Sequence, residues 1–381
     1  MLYKRLCPYK ADRESGPVSF LIPNPETHLF SPLPPLTRSK LVHKIVSMKI
    51  VVRAPNWIGD SVLALSAIES LSQNLPEAQI WIATNEWVKD LFKSHDFIKG
   101  IIPLSGMNNI KSLKNSAKKI KEFHFDAGIL FTNSFISAFL FYLARIPQRW
   151  GYSRDGRGIL LTKRVAPRNL GISFHQMDYY MGLISGLGHK TLPPQLSFPL
   201  TQEEQKEARE KLLSCDVDLQ RPIIILNPGA SYGPAKRWPA ERFAKLGSLL
   251  QERNKATVLI TGAGNERGLA ESISSLMAKK PINLSGQTNL RMLAGLISQS
   301  NLFVTNDSGP MHMANALKIP VIVVFGPTDP SVTGPYQEPS AVIKKDVPCW
   351  PCAYRECPFD HRCMVNISPE EVYKACQRFL R

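Results

Sequence analysis

The stretch Val304–Asp329, VTNDSGPMHMANALKIPVIVVFGPTD, reads as strand, tight loop, helix, strand and second loop. Val304 ends an apolar run that begins at Leu302. Asn306, Asp307, Ser308 and Gly309 then form a turn that opens a helix through Met311, Met313, Ala314 and Leu317. Pro320–Phe325 is continuously apolar, as strands buried on both faces of a parallel sheet are. In open α/β sheets ligands sit at the carboxyl ends of strands, where helix N-termini offer unpaired N–H groups and partial positive charge. A loop holding a carboxylate, a hydroxyl, a glycine and the nearby His312 suits the phosphate-and-sugar end of a nucleotide. Asp307 and Ser308 could instead only cap the helix. Capping, however, asks for neither the glycine nor the second polar loop, Gly326-Pro327-Thr328-Asp329, so nucleotide binding is the expectation.

Outward from this stretch the chain alternates between periods of two and 3.6. Lys49–Ala54, Gln79–Ala83, Ile98–Pro103 and Ala127–Thr132 read as strands; Ser61–Gln73, Glu86–Lys93 and Ser134–Arg145 read as helices. A basic segment, Arg145–Arg168, a helix at Gln176–Leu187 and the Pro-rich Leu192–Pro199 lead to a linker. The helix Gln202–Ser214 precedes a second series. Its strands are Ile223–Leu226, Thr257–Thr261, Ile282–Leu284 and Leu302–Thr305, and its helices Ala240–Arg253, Glu266–Ala278 and Leu290–Ser298. Two such series predict an α/β chain with two Rossmann-like domains facing a central cleft, at 48–200 and 201–345. Residues 346–381 form a Cys-rich segment and a terminal helix, Pro369–Leu380, which could fold back over the first domain.

Length and composition fit this division. A chain of 381 residues is too long for one ordinary core. Its 47 Lys and Arg against 31 Asp and Glu leave a net charge of +16, which attracts phosphates on nucleic acid, lipid or a glycolipid. No nucleic-acid module is visible, and the basic residues are scattered along the sequence rather than interleaved with aromatics. An anionic membrane surface or a phosphorylated acceptor is therefore the expected partner, and nucleic acid is not. The most apolar window, Ala127–Ala144, is interrupted by Thr132-Asn133-Ser134, so it reads as strand, loop and short helix rather than a membrane span. Residues 1–47 contain seven prolines, seven basic and three acidic residues, without the apolar core of a signal peptide. They read as a disordered leader, or as sequence ahead of a true start at Met48.

Three further loops carry candidate chemistry. Asn227-Pro228-Gly229-Ala230-Ser231 follows the first strand of the second series, and Lys236-Arg237-Trp238-Pro239 leads into the next helix. Backbone N–H groups, Ser231 and the Lys236 ammonium could converge there on a diphosphate, though G-x-x-x-x-G-K-[ST] is absent. Thr261–Gly268 has glycines at G-x-G-x-x-x-G, one residue too long for a dinucleotide fingerprint. Glu266 there could accept hydrogen bonds from a ribose or merely stand as an acid in a helix's first turn. In Arg53-Ala54-Pro55-Asn56-Trp57-Ile58-Gly59-Asp60, Asp60 marks the first helix entrance, either as a cap or as a general base facing the cleft. Cys349, Cys352, Cys357 and Cys363, with His361 among them, could coordinate zinc or an iron–sulfur cluster. Their spacing matches neither a common zinc ribbon nor a ferredoxin run, so reduced thiols packing the loop are expected. Cys7, Cys215 and Cys376 stand alone.

Taken together, Gly59-Asp60, Asn227–Pro239 (NPGASYGPAKRWP), Thr305–Leu317 (TNDSGPMHMANAL) and Phe325–Pro330 (FGPTDP) resemble the lipopolysaccharide heptosyltransferases of glycosyltransferase family 9. The segment around Cys363-Met364 is similar to the heptosyltransferase II branch. The resemblance runs from Met48 to the end. It implies a GT-B fold, the acceptor on the first domain and the sugar nucleotide on the second. It also implies ADP-L-glycero-D-manno-heptose as donor, a phosphorylated lipid A-core acceptor, inversion at the anomeric centre, and neither metal nor other cofactor. A cytoplasmic location, peripheral at the inner face of the inner membrane, goes with it. By resemblance Asp60 is the base; Ser231 and Lys236 contact the diphosphate; Glu266 contacts the ribose; and Asp307, Ser308, Gly309 and His312 form the donor-binding turn. The sequence has Tyr232 where the related heptosyltransferase I pattern has a hydroxyl-bearing Thr.

Overall fold

Short apolar runs at regular intervals become two parallel sheets. The first contains β1 (Lys49–Arg53), β2 (Gln79–Asn85), β3 (Gly100–Leu104), β4 (Ala127–Leu130), β5 (Gln148–Tyr152) and β6 (Lys163–Val165), in the order β3-β2-β1-β4-β5-β6. The second contains β7 (Ile223–Asn227), β8 (Thr257–Ile260), β9 (Ile282–Asn283), β10 (Leu302–Asn306), β11 (Val321–Phe325) and β12 (Ser340–Lys344), in the order β12-β11-β10-β7-β8-β9. The computed structural model describes residues 47–105, 107, 109–167 and 174–380. The leader expected at 1–47, including Cys7, lies outside these residues apart from Ser47. In each sheet the strand order reverses between the first and fourth strands of the series. The carboxyl ends of β1 and β4, and of β7 and β10, therefore open crevices in which ligands can bind. β7, β10 and β11 are buried at every residue, as strands covered on both faces must be.

The helices are α1 (Ile58–Asn74), α2 (Ile110–Lys121), α3 (Phe135–Leu143), α4 (Gln176–Gly186), α5 (Gln202–Leu213), α6 (Ala240–Arg253), α7 (Arg267–Leu276), α8 (Leu290–Ser298), α9 (Gly309–Ala316), α10 (Pro330–Thr333), α11 (Arg362–Val365) and α12 (Pro369–Cys376). One apolar cluster runs from Ile50 and Val52 through α1 and α4 to Met311, Met313 and Phe325, so the two sheets share a continuous core where α1 meets α9. On the opposite face of the first sheet, α2 and α3 cover Val51, Ala83 and Ile102. The alternation of Ile50, Val51 and Val52 between these clusters is the period-two pleat of a strand.

The sequence reading is corrected in several places. α1 begins at Ile58, three residues ahead of the expected start, with Trp57 as the extended N-cap residue. Asp60 therefore lies inside the first turn and is not the cap. The expected helix at Glu86–Lys93 is a 3₁₀ helix over Glu86–Phe92. The basic segment after Arg145 supplies two strands, β5 and β6, which complete the first sheet. The terminal helix does not fold over the first sheet. Val372, Tyr373 and Cys376 of α12 are buried with Trp238, Phe243 and Leu250, the Tyr373 hydroxyl donates to Asn254 Oδ1 at 3.0 Å, and the Arg253 guanidinium sits 5.3 Å above its ring. An amphipathic helix packs on whatever apolar groove lies within reach, and here that groove is on α6.

A polar tie joins α5 to α8. Arg291 is buried; its Nε donates to Glu204 Oε1 at 2.6 Å, and a terminal nitrogen donates to Glu204 Oε2 at 2.5 Å and to the Pro199 carbonyl at 2.7 Å. This bidentate pair also lowers the Glu204 pKa. Replacing Arg291 with Ala leaves partly buried acceptors without a donor and is expected to lower stability by about 1–3 kcal/mol in urea unfolding. Lys206→Ala, whose partner Glu210 is exposed, is expected to change it by less than about 0.5 kcal/mol.

Candidate active site

The loop that delivers Asp60 is fixed from below by a buried arginine. Arg53, at the end of β1, is fully buried and donates to Asn56 Oδ1 at 2.6 Å and to the Ala54 carbonyl. Asn85 Nδ2 donates to the same Asn56 oxygen at 3.0 Å, and Ser61 Oγ donates to the Pro55 carbonyl at 3.2 Å. With the loop held, the half-buried Asp60 carboxyl sits in the first turn of α1. It accepts a hydrogen bond from the Tyr180 hydroxyl of α4, and the Tyr180 ring stacks on Phe131 at 5.4 Å. Burial pushes the Asp60 pKa up to about 6; Tyr180 and Lys236 pull it down and Asp307 pushes it up. Tyr180 carries no sequence signal, because the contact joins residues 120 positions apart.

Lys236 and Asp307 stand across from Asp60. Asp307 is buried and its Oδ2 takes the Lys236 ammonium, the Thr328 hydroxyl at 2.6 Å and the Thr333 hydroxyl at 3.4 Å. The ammonium also lies 4.8 Å from the centre of the Tyr232 ring. Asn306 sets this geometry: its Oδ1 accepts the Trp238 N–H at 3.0 Å, and its Nδ2 donates to the Pro228 carbonyl at 2.7 Å. Helix capping does not account for these residues. Ser308 occupies the N-cap position of α9, yet makes no side-chain cap; its hydroxyl meets that of Thr305 at 3.0 Å. The first N–H groups of α9 thus lack a side-chain cap.

The two helix starts touch. A Cβ on Gly59 would lie 2.7 Å from His312 Cδ2, and one on Gly309 would lie 2.7 Å from the Ile58 Cβ. His312 is buried, and burial pushes its pKa down to about 3, so its imidazole is neutral near pH 7. Its Nδ1 has no hydrogen-bond partner among the described residues. His175 closes the cleft from α4: its Nδ1 accepts the Met177 N–H at 3.1 Å, and its Nε2 lies 3.0 Å from the Gly334 carbonyl.

Of the expected site residues, Asp60, Lys236, Asp307, Ser308, Gly309 and His312 come together here. Glu266 and Ser231 belong to the adjoining loops of the second sheet. Glu266 Oε2 accepts the Ala263 N–H at 2.9 Å, and its carboxylate lies so close to Gly229 that a Cβ there would fall 2.1 Å from Oε1. Ser231 is exposed in the turn beyond Gly229. The cysteine segment braces both loops. Cys349, Cys352, Cys357 and Cys363 line one small pocket with His361, and among the described residues no three His, Cys, Asp or Glu side chains are placed to hold a metal ion. Around that pocket the Ala235 N–H donates to the Arg355 carbonyl at 3.0 Å and the Cys352 N–H to the Pro327 carbonyl at 3.1 Å. Tyr232 Oη donates to the Ala353 carbonyl at 2.6 Å and Trp350 Nε1 to the Thr328 carbonyl at 3.1 Å. The segment thus holds the two loops that present Lys236 and Thr328.

A half-buried carboxyl thus stands near a lysine–aspartate pair and an uncapped helix start. The glycosyltransferase family 9 (heptosyltransferase) pattern matches residues 114–362. The chain belongs to glycosyltransferase family 9. It is 30% identical over 348 residues to lipooligosaccharide heptosyltransferase 2 of Campylobacter jejuni, covering 88% of this chain and 99% of that protein. It is 31% identical to lipopolysaccharide heptosyltransferase 2 of Salmonella typhimurium, covering 78% and 88%. The solved structure of E. coli ADP-heptose lps heptosyltransferase II superposes with a TM-score of 0.75 at 26% identity, covering 87% of this chain and 98% of that one. The family 9 enzyme is thus a glycosyltransferase of GT-B architecture, and its paired six-stranded sheets are those of that fold.

The raised Asp60 pKa has a consequence for stability. Folding favours the protonated carboxyl, so its stabilisation is present below the ordinary aspartate range of about 4 and is lost as pH rises through about 6. Asp60→Asn is therefore expected to raise Tm at neutral pH, and the gain should vanish in acid. Thermal melts across the pH range check this, and an Asn variant less stable than the native protein at neutral pH contradicts it.

Proposed function

We propose that this enzyme transfers L-glycero-D-manno-heptose from the ADP-heptose donor to an inner-core heptose of lipid A-anchored lipopolysaccharide, with inversion. The observation that carries the reading is Asp60, a carboxyl with a pKa near 6, set across from Lys236 and the open start of α9. The acceptor hydroxyl attacks the anomeric carbon as the bond from that carbon to the phosphate oxygen breaks. Asp60 takes the hydroxyl proton and later releases it to solvent. Negative charge grows on the departing ADP, where Lys236 and the α9 N–H groups stabilise it. Neutral His312 offers a ring nitrogen to the donor without adding charge. Glu266, beside Gly229, takes the ribose, and Ser231 the diphosphate edge. Residues 48–200 present the acceptor and residues 201–345 the donor. No helix among the described residues is long and apolar enough to cross a membrane. A lipid-anchored acceptor lies at the bilayer surface, and the reading has the enzyme working there, peripherally at the inner face of the inner membrane.

Incubation with ADP-heptose and two truncated core acceptors, one ending in a single heptose and one in none, tests the reading by product mass. Addition of one heptose to the first alone is expected. Addition only to the heptose-free acceptor assigns the preceding step instead, and transfer to neither overturns the substrate assignment. Asp60→Ala is expected to cut kcat by about a hundredfold or more with little change in ADP affinity. Lys236→Ala should weaken ADP binding and lower kcat together. In Tyr180→Phe the carboxylate loses a donor, so the acid limb of kcat/KM should move to higher pH. An unmoved limb would show that Tyr180 does not touch the working base.

A further inference from the structure

Half of the chain's excess positive charge is concentrated in one part of the first sheet. Between residues 109 and 165 there are eleven Lys or Arg and three Asp or Glu. The lysines of α2 at 111, 114, 118, 119 and 121 are all exposed, and none is paired with a carboxylate among the described residues. α3 lies between α2 and the turn Arg157–Leu160. The inner sides of these elements bury Leu113, Ala117, Ile120, Ala138, Phe141 and Leu161.

Their outer sides are not polar throughout. Phe135, Phe139 and Tyr142 recur at helical spacing on α3 and stack in a row, with ring centres 6.2 Å apart at each step. Phe135 is 44% exposed and Tyr142 52%. Ile159 in the flanking turn is 78% exposed, and Ile110 at the start of α2 is 73% exposed. The Arg149 guanidinium sits 5.6 Å from the centre of the Tyr142 ring. Exposed aromatic and branched side chains amid unpaired cations match a bilayer's interfacial zone, where rings settle at headgroup depth and cations meet lipid phosphates. The surface also adjoins the acceptor side of the cleft. The Asn133 side chain, two residues before Phe135, accepts the Tyr179 hydroxyl at 2.9 Å, and Tyr179 precedes the Tyr180 that holds Asp60.

We propose that the outer face of α2, α3 and the turn Arg157–Leu160 docks on an anionic lipid bilayer and so sets the cleft beside a lipid-anchored acceptor. This rests on the transferase reading for its purpose but not for its test. Vesicles of equimolar phosphatidylcholine and phosphatidylglycerol are expected to sediment the full chain, salt should weaken the binding, and pure phosphatidylcholine vesicles should not sediment it. The variants Phe135→Ser/Tyr142→Ser/Ile159→Ser and Lys111→Gln/Lys114→Gln/Lys118→Gln should each bind about tenfold more weakly or worse. Their Tm and their transfer to a de-acylated, water-soluble core acceptor should stay near the native values. Native-like sedimentation of both variants, or no sedimentation of the native chain, overturns the docking face. Binding of duplex RNA in place of vesicles would also overturn it. Absence of transfer to the soluble acceptor by the native chain would instead count against the transferase reading and leave the lipid result standing.

Discussion

Two helix N-termini are pressed together at the centre of this molecule, and the rest of the site depends on that contact. α1 and α9 meet through Gly59 and Gly309, where a side chain would collide with His312 or Ile58. Each helix start bears partial positive charge, and neither has a side-chain cap. Facing like poles is unfavourable unless anions lie close by. Asp60 and Asp307 supply part of that negative charge, with Lys236 binding Asp307. The result is a cleft whose helix starts carry partial positive charge beside a carboxyl with a pKa of about 6.

Positioning comes from outside the cleft. Arg53 holds the loop before α1, Asn306 holds the loop before α9, and the cysteine segment holds the loops of Lys236 and Thr328. None of these groups needs to meet a substrate. They fix backbone whose own hydrogen-bonding capacity would otherwise leave it free to relax. Burial then sets protonation: it raises the Asp60 pKa to about 6 and lowers that of His312 to about 3, so a carboxylate and a neutral imidazole coexist near pH 7.

Much of this was legible in the residues. Continuous apolar runs located β7, β10 and β11, and the sharp switch to a 3.6-residue period located α6 and α8 at the bounds observed. The polar loops at strand ends singled out Asp60, Lys236, Asp307 and the Thr328 loop, and the fold brings them together because the carboxyl ends of parallel strands converge there. α2 was missed since its lysines mask the apolar spacing of Leu113, Ala117 and Ile120. β5 and β6 were missed because they are polar and mostly exposed away from Gly151, Tyr152 and Val165. Tyr180, His175 and the partner of α12 depend on contacts across more than a hundred residues, which local pattern cannot specify. The aromatic–cation face likewise forms only when α2, α3 and the turn after β5 are brought side by side.

The central claim is that the diphosphate lies between the start of α9 and Lys236, with the anomeric carbon turned toward Asp60. A crystal structure with a non-reactive ADP-heptose analogue tests it most directly. The account predicts phosphate oxygens within hydrogen-bond reach of Lys236 Nζ and the first N–H groups of α9, and the Asp60 carboxylate on the face of the sugar opposite the phosphate. A nucleotide bound away from α9, or an anomeric carbon whose open face points away from Asp60, would contradict it.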